Sequence, residues 1–276
     1  MWLLLAFMSA TLLGFYDSFK KKSLKDNAVI PVLFINTVIC SLIFLPLIVL
    51  SATGTLPSSC PFHVGGGGWE MHRYVILKSV IVLSSWLAGY IGMKHLPLTI
   101  VGPINATRPV MVLIGALLVY GERLNAWQWV GVAVAVASFF LLSRSGKKEG
   151  INFAHDKWIG CIVLAAILGA VSGLYDKYLM ASPSDGGVGL DRMAVQSWYN
   201  IYQSAMMLLM LAIIWFPRRK ADRFHWSWSI IGISIFLSAA DFLYFYALSL
   251  PSAMISIISM VRRSSVLVSF LFGAIF

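Results

Sequence analysis

Gly14-Phe15-Tyr16-Asp17 closes the first apolar run of the chain, and Gly173-Leu174-Tyr175-Asp176 closes another 159 residues later. The pattern recurs downstream. Leu96-Pro97 opens a membrane-length stretch carrying Arg108, and Leu250-Pro251 opens a second one carrying Arg262 and Arg263. Each run is long enough to cross a bilayer. These ions therefore stand where charge is expensive, about 2.5–3.5 kcal/mol on insertion scales. Duplicated apolar units with matched internal charges predict a path between two related halves.

Composition agrees with a membrane protein. Apolar residues make up 59% of the 276, charged residues only 12%, and the mean hydropathy is +0.83. That charged share is about half of what a soluble domain carries. The net charge of +10 is not a nucleic-acid signature, because the basic residues cluster between apolar runs. No nucleic-acid partner is expected. Cys40, Cys60 and Cys161 have no metal-ligand spacing, so neither a metal nor a disulfide scaffold is predicted. The N-terminal stretch lacks the charged start of a secretory signal and reads as a retained first helix.

Nine spanning segments are predicted, at 2–19, 28–50, 74–93, 98–120, 126–142, 158–179, 193–216, 227–248 and 252–276. The fold class is thus all-α and polytopic, in two five-helix repeats at 1–143 and 158–276. The second repeat stops at Phe276, about where the counterpart of Gly121 would fall. On this reading a tenth helix is missing, and ten are expected if the protein is complete. An odd number of spans per repeat makes the two copies enter the membrane from opposite faces.

The basic residues set an orientation. Thirteen of the 21 lie in odd-numbered connections (Lys20, Lys21, Lys22, Lys25, Lys94, Arg144, Lys147, Lys148, Lys157, Arg218, Arg219, Lys220, Arg223). Four lie in even-numbered ones (Arg73, Arg123, Lys177, Arg192) and four inside spans (Lys78, Arg108, Arg262, Arg263). This bias places the odd connections in the cytoplasm and the N-terminus outside.

The segment from Met93-Lys94-His95-Leu96-Pro97 through Arg108-Pro109, Gly121-Glu122-Arg123-Leu124 and Trp127-Gln128-Trp129 resembles an EamA-type repeat of the drug/metabolite transporter superfamily. Tyr246-Ala247-Leu248-Ser249-Leu250-Pro251 onward resembles the same unit less closely. The resemblance implies ten helices in two inverted halves around a central cavity, and movement of a small polar solute by alternating access. Family members commonly place both termini in the cytoplasm, whereas the charge count here puts the N-terminus outside.

Seven residues are candidates for a substrate or ion pathway: Asp17, Asn105, Arg108, Asp176, Asp241, Arg262 and Arg263. Asp17 and Asp176 lie near the far ends of their spans. Asp17 also has Lys20 and Lys21 at helical spacing, so an interfacial carboxylate remains the alternative for it. Asp176 shares a face with Ser172, while Lys177 projects elsewhere. Arg108 sits mid-span between Pro103 and Pro109, on the face of Asn105; the prolines bend the helix, which suits a cavity wall. Arg262 and Arg263 point about 100° apart, so one of them is free to pair with Asp241. Asp241 aligns with Leu87 and breaks the internal symmetry. Lys78, four residues into its predicted span, is expected to snorkel to the interface. Glu122 reads as a helix cap or loop contact.

No catalytic motif is present: no His-Glu-x-x-His, Gly-x-Ser-x-Gly, Cys-x-x-Cys or phosphate-binding Gly-Lys-Ser. The reading is a multi-pass secondary transporter of the inner or plasma membrane, moving a small anionic or zwitterionic metabolite without a cofactor. Membrane lipid is the other partner, and a homodimer is left open. The alternatives are a membrane-embedded enzyme acting on lipid-linked substrates, or an inactive truncated carrier.

Overall fold

Lipid cannot satisfy backbone polar groups, so the chain winds its apolar runs into helices and buries its polar side chains between them. The computed structural model describes residues 1–96, 98–145 and 157–275. The helices are α1 (Trp2–Leu24), α2 (Val29–Ala52), α3 (Trp69–His95), α4 (Leu98–Ala106), α5 (Arg108–Val119), α6 (Ala126–Ser145), α7 (Lys157–Met180), α8 (Arg192–Met210), α9 (Ser229–Ser249), α10 (Ile255–Arg263) and α11 (Ser265–Ile275). Among the described residues, α1, α2, α3, α7, α9 and the stretch Arg192–Arg218 are each long and apolar enough to cross a membrane. The protein is all-α and polytopic. Its polarity is inside out: Leu4, Phe7, Leu42, Leu118 and Leu209 face outward, while Asn36, Lys78, Asp176, Asn200 and Gln203 are buried.

Helices of the two halves pack on each other. The closest pairs are α1 with α9 and α3 with α7, followed by α2 with α8; α10 rests on α5. Small hydroxyl residues fasten these contacts to backbone carbonyls, as is usual between membrane helices. Ser9 Oγ donates to the Ala240 carbonyl (2.7 Å), Ser85 Oγ to Ala165 (2.8 Å) and Ser41 Oγ to Asn200 (2.8 Å). Gly14 lets α1 approach α11, where a Cβ would run into Val268 and Ser269 Oγ reaches the Gly14 carbonyl at 3.1 Å.

Two ends can be told apart from the contacts between connections. At one, Lys94 meets Asp222 (2.9 Å) and Asn27 bonds the His225 carbonyl (2.7 Å), which gathers the first, third and seventh connections. At the other, Trp198 reaches the Gly65 carbonyl (3.1 Å) and Glu122 reaches the start of α10.

Three features depart from the expected spans. First, α3 begins at Trp69, five residues before the apolar run at Tyr74, so Lys78 is the tenth residue of its helix. At about 1.5 Å per residue that is more than 13 Å along the axis, too deep to snorkel. Second, the fourth span is two helices, α4 and α5, broken at Thr107. Pro109, with no N–H to give, falls in the first turn of α5, where none is needed. Third, the ninth span breaks at Ser264, with no proline nearby. Both breaks are tied off alike. Thr107 Oγ1 donates to the Ile104 carbonyl and Ser264 Oγ to the Val261 carbonyl, each at 2.7 Å and each three residues back.

Candidate functional site

A cavity of about 1470 Å³ opens at the end that carries Lys20, Lys25 and Lys94, and it runs inward to Asp176, Tyr244 and Arg262. All seven candidate residues line it: Asp17, Asn105, Arg108, Asp176, Asp241, Arg262 and Arg263. Helix breaks position three of them. Arg108 is the first residue of α5, and Arg262 and Arg263 are the last two of α10.

The blind end of the cavity holds two interlocked triads. In the first, Lys78 Nζ from α3 pairs with Asp176 Oδ1 from α7, and Tyr244 from α9 donates its hydroxyl to Asp176 Oδ2 at 3.2 Å. In the second, Arg262 Nη2 from α10 donates to Asp241 Oδ1 at 2.8 Å, and Tyr199 from α8 donates to Asp241 Oδ2 at 2.8 Å. Each cation lies over the other triad's ring: Lys78 Nζ is 4.9 Å from the Tyr199 centroid, and the Arg262 guanidinium is 3.9 Å from that of Tyr244. Phe245 adds a second ring 4.8 Å from Lys78 Nζ. Five helices are thereby joined by one closed circuit. The Lys78 and Asp176 side chains are only 3% and 7% exposed. Charges so deep survive because each is paired and hydrogen-bonded, and a cation over an aromatic face adds up to about 2 kcal/mol when desolvated.

Arg108 and Arg263 stand apart from these pairs. Arg108 Nη2 donates to the Gly169 carbonyl at 2.6 Å. Among the described residues, neither arginine has a carboxylate within ion-pair distance. At the mouth, Asp17 binds Lys20 at 3.0 Å, as its i+3 spacing allowed, and stays about one-third exposed. Asp17 is thus paired within its own helix and also part of the cavity wall.

The opposite end is shut. Glu122 accepts from the Ile255 N–H (2.8 Å), the Ser256 N–H (3.3 Å) and the Ser256 hydroxyl. It caps α10 from the connection between α5 and α6, so one carboxylate answers the free N–H groups of a helix start. Lys177 Nζ donates to the Ala253 carbonyl (2.6 Å) and Tyr120 to that of Leu174 (2.6 Å). Beneath them, Val75, Val112, Ala116, Ala170, Phe245 and Ile258 fill the space with an apolar plug.

The pairing of Asp241 with Arg262 was among the alternatives readable from the chain, and the structure selects it over Arg263. Lys78, Tyr199 and Tyr244 were not among the predicted site residues. Lys78 was readable in principle, as the one basic residue of its span with no proline or second charge beside it. The tyrosines are neutral and carry no such signal. Among the described residues, no three His, Cys, Asp or Glu side chains come together as metal ligands.

Gly169 supplies both the carbonyl that holds Arg108 and the space for its guanidinium, which a Cβ at 169 would strike. Gly169→Ala is expected to push that group aside and lose one charge-assisted hydrogen bond, about 1.5–3 kcal/mol. Better helix propensity in α7 returns about 0.8–1.0 kcal/mol. The net destabilisation is about 1–2 kcal/mol, measurable by unfolding in mixed micelles; an unchanged or higher stability would show that Arg108 gains nothing from this carbonyl.

Comparison with known proteins adds the family. Residues 1–144, over half the chain, match the EamA-like transporter family. The chain is also 32% identical over 95 residues to an "Uncharacterized transporter in cobO 3'region" from Sinorhizobium sp. That match covers 34% of this chain and 64% of the relative, slightly under two-thirds of its length. A solved crystal structure superposes with a TM-score of 0.69 at 12% identity, covering 99% of this chain and 87% of the other, which shows a shared fold. The chain belongs to the EamA-like transporter family.

Proposed function

We propose that this protein is a secondary transporter that moves a small anionic or zwitterionic metabolite across the plasma or inner membrane by alternating access. The observation that carries the proposal is a single large cavity, open at one end and plugged at the other, with a paired-charge circuit at its blind end. The chain is built as two inverted repeats, 1–143 and 158–276. Supporting this, the helix pairing is reciprocal: α1 with α9 and α3 with α7, with α2 on α8 and α5 on α10 between them. The open end gathers the lysines of the first and third connections, so it faces the cytoplasm by the positive-inside rule and the N-terminus lies outside. A solute or proton gradient supplies the driving force.

Counterflow into proteoliposomes tests the reading, with labelled amino acids, carboxylates and phosphate esters offered in parallel. Saturable exchange of at least one is expected, and Arg108→Ala should slow it about tenfold or more. No exchange of any class would remove the transport reading; an unchanged rate in the variant would remove Arg108 from the path.

A further inference from the structure

We infer that the cargo is an organic dianion, such as a phosphate monoester or a dicarboxylate, whose doubly charged end is held between Arg108 and Arg263. The inference rests on the transport reading above and names its substrate class. It begins with the charges of the inner cavity. Four cations line it, Lys78, Arg108, Arg262 and Arg263, against two carboxylates, Asp176 and Asp241. Both carboxylates are already committed, Asp176 to Lys78 and Asp241 to Arg262. Arg108 and Arg263 remain, two positive charges with no carboxylate in ion-pair range among the described residues. They come from different halves of the chain, at the breaks of the fourth and ninth spans. Both line the same cavity. Asp17, nearer the mouth, is itself bound to Lys20 at 3.0 Å.

Two like charges sharing one cavity repel each other. A single negative charge neutralises one of them, and a zwitterion brings an ammonium that the site has no free carboxylate to receive. A dianion neutralises both. Guanidinium suits this role, since its planar fork grips carboxylate or phosphate oxygens in pairs. The start of α5 adds a positive helix end beside Arg108. Asn105 and Ser259 also line the cavity and offer hydrogen bonds to an uncharged hydroxylated tail. The mouth extends the field: Lys21, Lys22 and Lys25 line it, and among the described lining residues Asp26 and the already paired Asp17 oppose them, which raises the local concentration of anions.

The test is binding to the purified full chain in detergent, by calorimetry. The probes are glycerol 3-phosphate, succinate, alanine, acetate and glycerol. The two dianions should bind at least tenfold more tightly than alanine or acetate, and glycerol should not bind. Whichever dianion is tighter identifies the oxygen acceptor the forks prefer. Arg263→Gln removes a charge that has no partner to orphan, so the fold should persist, with a melting temperature close to the parent's. The same variant should weaken dianion binding about tenfold to a hundredfold, while alanine and acetate change little. Arg263→Lys keeps the charge without the fork and should fall between the two. Equal binding of alanine and the dianions, or an Arg263→Gln variant that keeps the preference, would overturn the inference. Dianion-selective binding without counterflow would support the site and remove the transport reading instead, so the two failures are distinguishable.

Discussion

Asp176→Leu is expected to cost the folded protein about 3–5 kcal/mol, the usual penalty for stranding one member of a buried ion pair. The stranded group is the Lys78 ammonium, 3% exposed and enclosed by α3, α7, α8 and α9. The Tyr199 and Phe245 faces soften the loss, each cation–aromatic contact being worth about 0.5–2 kcal/mol, so the lower half of the range is expected. Lys78→Met in the same chain should return most of the stability, because removing both charges also removes the need to desolvate them. Recovery should stop short of complete, since the Tyr244 hydroxyl still lacks its acceptor. A double-mutant cycle in mixed micelles gives the coupling directly. Asp176→Leu at parental stability would mean that the two groups do not pair in the folded protein. The double variant also separates two roles: if it folds but no longer exchanges solute, the pair takes part in transport as well as in packing.

How much of this was readable from the chain depends on which physical signal each residue leaves. Span positions follow from hydropathy, which marks where lipid-compatible residues begin rather than where helical hydrogen bonding begins. Glu70, His72 and Arg73 hid the first turn of α3, and that error of five residues misplaced Lys78 at the interface. The break at Thr107 was foreshadowed by Pro103 and Pro109; the one at Ser264 has only a hydroxyl and two arginines to announce it. Asp241 and Arg262, 21 residues apart, could be matched because few opposite charges compete within the spans. Lys78 and Asp176 are 98 apart, and nothing local joins them.

The internal likeness of the halves also misleads at the site. Asp176 has its counterpart in Asp17 and Arg262 in Arg108, but Asp241 aligns with Leu87 and, by the same 154-residue offset that joins Leu96 to Leu250, Lys78 aligns with Gly232. Each ion pair of the circuit therefore joins one charge that is matched in the other half, Asp176 or Arg262, to one that is not, Lys78 or Asp241. A reading that leans on repetition finds Arg108 and Arg262 and overlooks the lysine.

Glu122→Ala is expected to loosen the closed end by about 3 kcal/mol. Its carboxylate serves the Ile255 and Ser256 N–H groups and the Ser256 hydroxyl, and charge-assisted hydrogen bonds are worth about 1.5–3 kcal/mol each. Losing the anion also leaves the positive start of α10 uncompensated, a further 0.3–1 kcal/mol or so. The α10 segment is short, nine residues, so it has few other bonds with which to hold this position. Under the proposed alternation these contacts exist only while this end is shut. Their full loss therefore shifts the balance between the two openings, on the order of a hundredfold for about 3 kcal/mol. The readout is a cysteine at Ser172, buried on the cavity wall, with Cys60 and Cys161 replaced by serine. An impermeant maleimide supplied from the Glu122 side should label Ser172→Cys much faster once Glu122→Ala is added, and labelling from the lysine-rich side should slow. Glu122→Gln, which keeps one neutral acceptor oxygen in place of two charged ones, should give an intermediate rate. If Glu122→Ala lowers stability while both labelling rates stay where they were, the carboxylate is a cap for α10 and has no part in gating.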